Sequence, residues 1–437
     1  MDYQRIDADG ITYEELFRMD RDDCLHNVEL STKKECGTMS ITLDKKLGFG
    51  AMRLPLTDRE DPKSIDLPQF RQMVDLFFER GFRYIDTAYP YHDGYSEEAV
   101  RQCVVERYPR DSFLLADKMP ILQVKGPEDY DRFFAEQLRR CGVEYFDVYL
   151  LHNLGRDRYP NTEKYGGFEF LKRLKESGRA RNIGFSFHDD AETLDRILTE
   201  HPEVDVVQLQ INYLDWDGAV AQSGRCYEVA KRHGKDVVVM EPVKGGQLAQ
   251  LPDAAMKLFT DFYGQDAPSP ASLAIRYVAS LEQVKVVLSG MSTPEQVGDN
   301  TGYMREFAPL SDAEHKLAEQ IAQKTIEISE KRAEYRSIVK KSGYETVADF
   351  MKAYKTAKAA SEAYDKAFKA WDAKYGEEAK KRSEQAKARS SQPKQEKPMG
   401  VMERRLAEAK IRADAHNEEV RRQKQLTGKK KTYDMSL

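Results

Sequence analysis

Between residues 47 and 289 the chain alternates between two hydrophobic rhythms. Short runs rich in Val, Ile and Leu occur at 47–52, 84–88, 113–118, 146–152, 182–186, 206–211, 237–241 and 284–289. Unbroken apolar runs of this length are what strands buried on both faces require. Between them, apolar residues fall three and four apart, as Phe70, Met73, Val74, Phe77 and Phe78 do before Gly81. That spacing predicts amphipathic helices closed by glycine, here and near 97–107, 128–141, 166–177, 190–200, 219–233, 270–280 and 294–302. Eight strands, each followed by a helix, predict an α/β protein of the (β/α)8 TIM-barrel type with right-handed crossovers. A doubly wound sheet uses fewer strands and a Gly-rich first turn, and no G-x-G-x-x-G follows an early strand here.

The rhythm stops on both sides of this block. Residues 1–40 are polar and form an N-terminal arm, in which Thr12-Tyr13-Glu14-Glu15 fits a capping box before a short helix over 13–19. From Thr325 onward Ala, Lys, Glu and Arg dominate, with 28 Lys/Arg against 18 Asp/Glu; the net charge of −5 therefore hides −15 on the first 324 residues and +10 on the rest. A composition break of that size predicts a barrel over 41–324 and a charged helical extension over 325–437. Within the extension, Phe350, Tyr354, Tyr364, Phe368, Trp371 and Tyr375 share one helix face and need a partner, as in a coiled coil. Residues 390–394 read as a linker, 401–425 as a very charged helix, and 429–431 as a basic, frayed end.

Composition narrows the chemistry. No run reaches the length of about 18 apolar residues that a membrane span needs, and the first 20 residues lack an apolar signal core. The five cysteines (Cys24, Cys36, Cys103, Cys141 and Cys226) form no C-x-x-C pair. Neither a disulfide framework nor a zinc or iron–sulfur site is expected, and a reducing cytoplasm is the default location.

In a barrel of this type the site lies at the carboxyl ends of the strands. The second strand ends on Asp86, with Tyr91 just beyond. The third ends on Lys118, the fourth on His152, the fifth on Ser186, and the sixth on Gln208 and Gln210, which share a face. The seventh ends on Met240 and Glu241 and the eighth on Ser289 and Gly290. Alone, Asp86 reads as a loop cap, Lys118 as a strand-end lysine and His152 as a buried histidine. Together they make a mechanism. A phenol is a weak acid at pH 7. A neighbouring ammonium stabilises the phenolate, a carboxylate keeps that ammonium charged, and an imidazole orients a carbonyl oxygen. Tyr91 as acid, Lys118 and Asp86 as its tuners and His152 as orienter suit carbonyl reduction. None of the four supplies a hydride, so a nicotinamide cofactor is implied.

The runs Ile85-Asp86-Thr87-Ala88 to Tyr91, Ala116-Asp117-Lys118, Tyr149-Leu150-Leu151-His152 and Asn182-Ile183-Gly184-Phe185-Ser186 resemble the aldo-keto reductase superfamily. So do Gln208 in Val-Val-Gln-Leu-Gln and the stretch from Leu288 to Asn300; order and spacing match together over about 42–310. The resemblance implies that Asp86, Tyr91, Lys118 and His152 are the catalytic tetrad. It implies that Ser186 and Gln208 hold the nicotinamide carboxamide and that Met240 lies under the nicotinamide, with Met52 also on the cofactor. Gly290, Met291, Gln296 and Asn300 fall where the family grips the adenosine end. Gly290 and Gln296 stand where NADP-preferring members place Lys and Arg, so NADPH and NADH both remain open. Phe187 replaces a common Asn, and Met240 a common aromatic. Gly-Phe-Ser-Phe-His-Asp and Glu241-Pro242-Val243-Lys244-Gly245-Gly246 are similar to a bacterial branch that carries a C-terminal iron–sulfur module. No cysteine follows Cys226, so that module is absent from this sequence.

The expectation is an NAD(P)H-dependent oxidoreductase acting on a small aldehyde or ketone, with its substrate pocket built by loops 153–165 and 243–268. The alternative is a non-catalytic nicotinamide-binding scaffold or sensor whose helical tail binds a protein partner or a second copy. Acidic residues interleave with the basic ones along the tail, which argues against a nucleic-acid surface.

Overall fold

A computed structural model describes residues 41–389, together with the helical residues Glu408, Lys410 and Glu418. The expected arm helix at 13–19, the linker at 390–394 and the basic end at 429–431 lie outside the described residues, as does most of the helix at 401–425. Eight parallel strands pair in chain order and close on themselves: β1 (Leu47–Gly50), β2 (Tyr84–Asp86), β3 (Leu114–Met119), β4 (Phe146–Leu154), β5 (Ala180–Phe187), β6 (Val206–Gln210), β7 (Asp236–Met240) and β8 (Val284–Ser289). This is the (β/α)8 barrel that the hydrophobic rhythm predicts.

The helices are α1 (Leu67–Glu79), α2 (Ser96–Val100), α3 (Glu128–Cys141), α4 (Tyr159–Lys164), α5 (Gly167–Glu176), α6 (Ala191–Glu200), α7 (Ser223–Arg232), α8 (Asp253–Tyr263), α9 (Pro270–Ala279), α10 (Pro294–Arg305), α11 (Asp312–Lys341) and α12 (Val347–Arg389). Side-chain carboxylates start two of them: Asp66 accepts from Gln69 N at 3.0 Å, and Asp190 from Thr193 N at 2.9 Å. Gly142 closes α3 with φ of 69°, a left-handed turn that a side chain resists.

Strand parity sorts the core. Tyr84, Ala116, Val148, Leu150, Val206, Val238, Val286 and Leu288 form one cluster, lining the barrel. Phe49, Ile85, Leu115, Tyr149, Ile183, Val207 and Val239, one residue out of phase, join the larger cluster beneath the helices. Gly184 faces inward where a Cβ would come within 1.8 Å of the Val206 carbonyl, so only glycine fits between β5 and β6.

Three expectations need correction. The first strand ends at Gly50 and Ala51–Arg53 is a 3-10 turn, so Met52 leaves the strand and is 54% exposed. The helix expected over 97–107 is α2 followed by a π turn, Arg101–Val105. Loops 153–165 and 243–268 are not wholly irregular, because α4 and α8 lie within them.

Two compact units divide after Glu334, and the composition break at 325 falls inside α11. In the second unit Phe350 packs edge-on to Tyr335 and Tyr344. Tyr354, Tyr364, Phe368, Trp371 and Tyr375 are exposed along α12. Among the described residues no helix is long and apolar enough to cross a membrane.

Candidate active site

The site continues the barrel's inner ladder. Two residues beyond Tyr84, Ala116, Leu150, Gly184, Val206 and Val238 on the same strand faces come Asp86, Lys118, His152, Ser186, Gln208 and Met240. Five of these six inward positions are thus followed, at the carboxyl rim, by a residue with chemistry, and the sixth by Met240. Tyr91 is delivered differently, by the turn Tyr91–Gly94 in which His92 and Asp93 both have φ of 53°. His92 fastens that turn: its Nε2 accepts from Leu54 N at 3.1 Å, so the neutral ring presents Nδ1–H to the Pro62 carbonyl at 2.8 Å.

Lys118 is the hub. Its Nζ donates to Asp86 Oδ1 at 2.7 Å and the Thr87 carbonyl at 2.7 Å, and lies 3.3 Å from the Tyr91 hydroxyl. The Lys118 and Asp86 side chains are 1% and 2% exposed. The His152 ring stands edge-on to Tyr91, with centroids 5.8 Å apart. All four expected groups therefore meet at one rim. The backbone behind the lysine is held as well. Gln137 Nε2 donates to the Lys118 carbonyl at 3.0 Å, and Tyr149 donates to Gln137 Oε1.

Burial decides the electrostatics. It pulls the Lys118 ammonium down, but Asp86 and Tyr91 outweigh it and the net direction is up. Burial pushes the Asp86 carboxyl up against the pull of Lys118. It also pushes the Tyr91 phenol above its ordinary value; Lys118 lowers it and does not win. Lys118 eases the phenol's proton in the expected direction, but desolvation is the larger effect, Asp86 adds to it, and the phenol holds its proton. His152 is driven down to about 3 by burial first, then by Lys118, His188 and Arg158. At neutral pH it is an uncharged imidazole, able to donate one N–H.

Ser186 and Gln208 sit side by side in the β5–β6 register. Ser186 Oγ accepts from Asn153 N at 2.7 Å and keeps its own O–H to give. Gln208 Oε1 is buried and has no donor. A primary carboxamide fits this pair, because its N–H would satisfy Gln208 and its oxygen would take the serine proton. Gln210 is engaged instead, donating to Asp215 at 3.1 Å, which separates the two glutamines. Met240 is half-buried at the end of β7. Gln296 Oε1 accepts from Ser292 N at 2.7 Å. Asn300 donates to Ser289 Oγ at 2.8 Å and accepts from Tyr303 at 2.6 Å, which fixes its amide and leaves one N–H and one lone pair. Met291 is wholly buried and belongs to the core.

Sequence reasoning missed two features. Arg53 reaches Glu241 across the mouth, Nη2 to Oε1 at 2.9 Å; the residues are 188 apart and neither lines a strand. Behind β3, Glu97, Asp117 and Cys141 bring two carboxylates and a thiol within 4.8 Å of one another, all buried. Asp117 beside Lys118 was the available signal, because an acidic residue in an apolar run must have a partner.

Comparison with known proteins agrees with this architecture. The model of the aldo/keto reductase family matches residues 46–323. An aldo-keto reductase from Mycolicibacterium vanbaalenii is 30% identical over 234 residues, covering 52% of this chain and 75% of that protein. The NADH-specific methylglyoxal reductase of Escherichia coli is 26% identical over 336 residues, covering 66% and 97%. Among solved structures, the holo form of an aldo-keto reductase from Bacillus halodurans matches with a TM-score of 0.51 and 26% identity over 63% of this chain and 91% of that one. An aldo-keto reductase from Klebsiella pneumoniae in complex with NADPH shares the fold, with a TM-score of 0.51 at 20% identity over 63% and 90%.

Proposed function

The chain belongs to the aldo/keto reductase family, and we propose that it reduces a small aldehyde or ketone to an alcohol, taking hydride from a bound NADPH or NADH. Tyr91 gives the proton to the carbonyl oxygen. Neutral His152 donates a hydrogen bond to that same oxygen and turns the carbonyl toward the phenol. Lys118 stands ready to stabilise the phenolate that forms, and Asp86 keeps it charged for that moment. Burial raises the cost of the phenolate in the resting site, so the ammonium's attraction counts most when the proton leaves.

Ser186 and Gln208 would hold the carboxamide of the nicotinamide; the orphaned Gln208 oxygen supports this assignment. Gly290, Gln296 and Asn300 are assigned to the adenosine end, Met240 to the nicotinamide face and Met52 to the outer edge. Neither Gly290 nor Gln296 brings a positive charge for a 2′-phosphate, which favours no discrimination against NADH. The NADH-specific name of the Escherichia coli relative is consistent with use of NADH here.

The observation that carries the proposal is the three-way grip on Lys118 Nζ by Asp86, Thr87 and the Tyr91 hydroxyl. The test is Tyr91→Phe. Carbonyl reduction should fall about a thousandfold, in the range for a lost general acid, while fluorescence titration shows NADH binding retained. Unchanged turnover would remove Tyr91 from the mechanism.

A further inference from the structure

Arg53 and Glu241 sit between the two ends of the proposed dinucleotide site. The Arg53 stem lies on Gly290, where an added Cβ would come within 3.3 Å of its Cβ and Cδ. Its backbone carbonyl accepts from Ser292 Oγ at 2.8 Å. Its guanidinium then crosses to Glu241, one residue past Met240. Gly290 belongs to the adenosine end and Met240 to the nicotinamide end. What joins those ends in either cofactor is a pyrophosphate.

Glu241 is built for its place. Its φ is 55°, in the left-handed region that a glutamate enters at a cost. Its carbonyl accepts from Lys244 N at 3.0 Å and Asn212 Nδ2 at 3.2 Å, and its carboxylate takes the Gly245 N–H. Its aim is therefore fixed by three bonds. The pair it makes with Arg53 is partly exposed, 42% on the arginine and 29% on the glutamate, and water screens such a pair to near-indifference. Lys244, the other cation on this loop, is committed elsewhere: it is held by Asp215, which also accepts from Gln210 and Asn212.

We propose that Arg53 is the phosphate-binding cation of the dinucleotide site and that Glu241 is its placeholder, which the guanidinium leaves for the pyrophosphate when a dinucleotide binds. A planar fork that fits a carboxylate fits phosphate oxygens equally well, and two phosphate charges hold it better than one carboxylate. A carboxylate left unpaired at the same place repels the incoming anion. The two residues therefore act on affinity with opposite signs. Because the pyrophosphate is common to both cofactors, neither residue selects between NADH and NADPH.

The inference rests on the dinucleotide reading of the barrel mouth, and binding to the full-length chain tests the two separately. Dissociation constants for NADH and NADPH are measured by fluorescence, with ADP-ribose as a competitor that keeps the pyrophosphate and nicotinamide riboside as one that carries no phosphate. Arg53→Ala should weaken NADH, NADPH and ADP-ribose alike, by about tenfold for a lost charge-assisted contact, and leave the riboside unchanged. Glu241→Gln should tighten the same three ligands several-fold. If Arg53→Ala fails to fold, the sign of Glu241→Gln decides alone, and Arg53→Lys should restore part of the affinity. Weakening by Glu241→Gln, or no change with Arg53→Ala, overturns the exchange while leaving the reductase proposal intact. A wild-type chain that binds no dinucleotide overturns both.

Discussion

Strand β3 carries buried charge on both faces and handles it in two ways. Toward the barrel mouth, Lys118 meets Asp86, one positive and one negative group at 2.7 Å. Toward the helices, Asp117 meets Glu97, two acids, with the Cys141 thiol 3.7 Å from Asp117. The single guanidinium there, Arg140, binds Glu97 at 3.0 Å but also serves Glu136 at 2.6 Å. Burial pushes both carboxyls up, and Glu97 adds to the push on Asp117, which goes well above its ordinary value. Two carboxylates this close in a dry interior do not both ionise. Asp117 keeps its proton, and that O–H supplies the donor that Glu97 Oε1 otherwise lacks. One face is balanced by an ion pair, the other by a proton. The front is built to stay charged while a proton moves past it, and the back to stay still.

The largest effect comes from breaking the front. Asp86→Asn leaves Lys118 buried without its counter-charge. Removing one partner of a buried pair costs about 3–5 kcal/mol, so urea unfolding of the variant should show a loss of that size. Carbonyl reduction should fall with it, because the ammonium is no longer held charged and in place. A loss under about 1 kcal/mol would mean that the pair is wetter than its exposure shows, and the contrast with the back would collapse.

Most of the front was legible in the sequence and almost none of the back. Asp86, Lys118 and His152 end apolar runs at a fixed parity, so the barrel's closure brings them together whatever the loops do. Gln208 was legible for the same reason, whereas its separation from Gln210 needed Asp215, which lies on a loop. Glu97 sits in the first turn of α2, where an acidic residue normally faces water and favours the helix dipole. Nothing local says that this turn packs against Asp117. Glu241 was legible as the end of the seventh run, but its pairing with Arg53 was not, because it depends on β1 closing against β8 and on a left-handed residue after β7. The helices α4 and α8 fell outside the strand–helix alternation and were absorbed into loops. The stripe on α12 was legible as a face, but a periodicity names no partner.

A smaller effect sharpens the front further. His152 is held near pKa 3 in the fold, against about 6.5 in the unfolded chain. Between those values the unfolded chain binds a proton that the folded one refuses. Stability is therefore full above pH 6.5 and falls as the pH drops, by about 1.4 kcal/mol for each unit. His152→Gln should remove that share of the slope. Unfolding of both proteins from pH 7 to 4.5 should give curves that converge by about 2–3 kcal/mol over two units. Curves that stay parallel would place a protonated imidazole beside Lys118, against the geometry.

The smallest effect has the opposite sign and is the sharpest test of the back. A carboxyl raised in the fold binds a proton that the unfolded chain releases, so it weakens the fold as the pH climbs from the ordinary carboxyl range through the folded value. Asp117→Asn copies the protonated acid: its amide oxygen can accept from Lys118 N, as Asp117 Oδ1 does at 2.8 Å. Its N–H₂ can give Glu97 the missing donor at every pH. At pH 8 the variant should match or exceed the wild type, by about 1–2 kcal/mol for a hydrogen bond to a buried ionised acceptor. The gap should close as the pH falls to about 4 and below, where the unfolded chain's carboxyl takes up its proton as well. Activity should survive, since the substitution faces away from the mouth. A clear loss of stability at pH 8 would mean that Asp117 is ionised in the fold, paired through Lys118, and that both faces of the strand share one charge system.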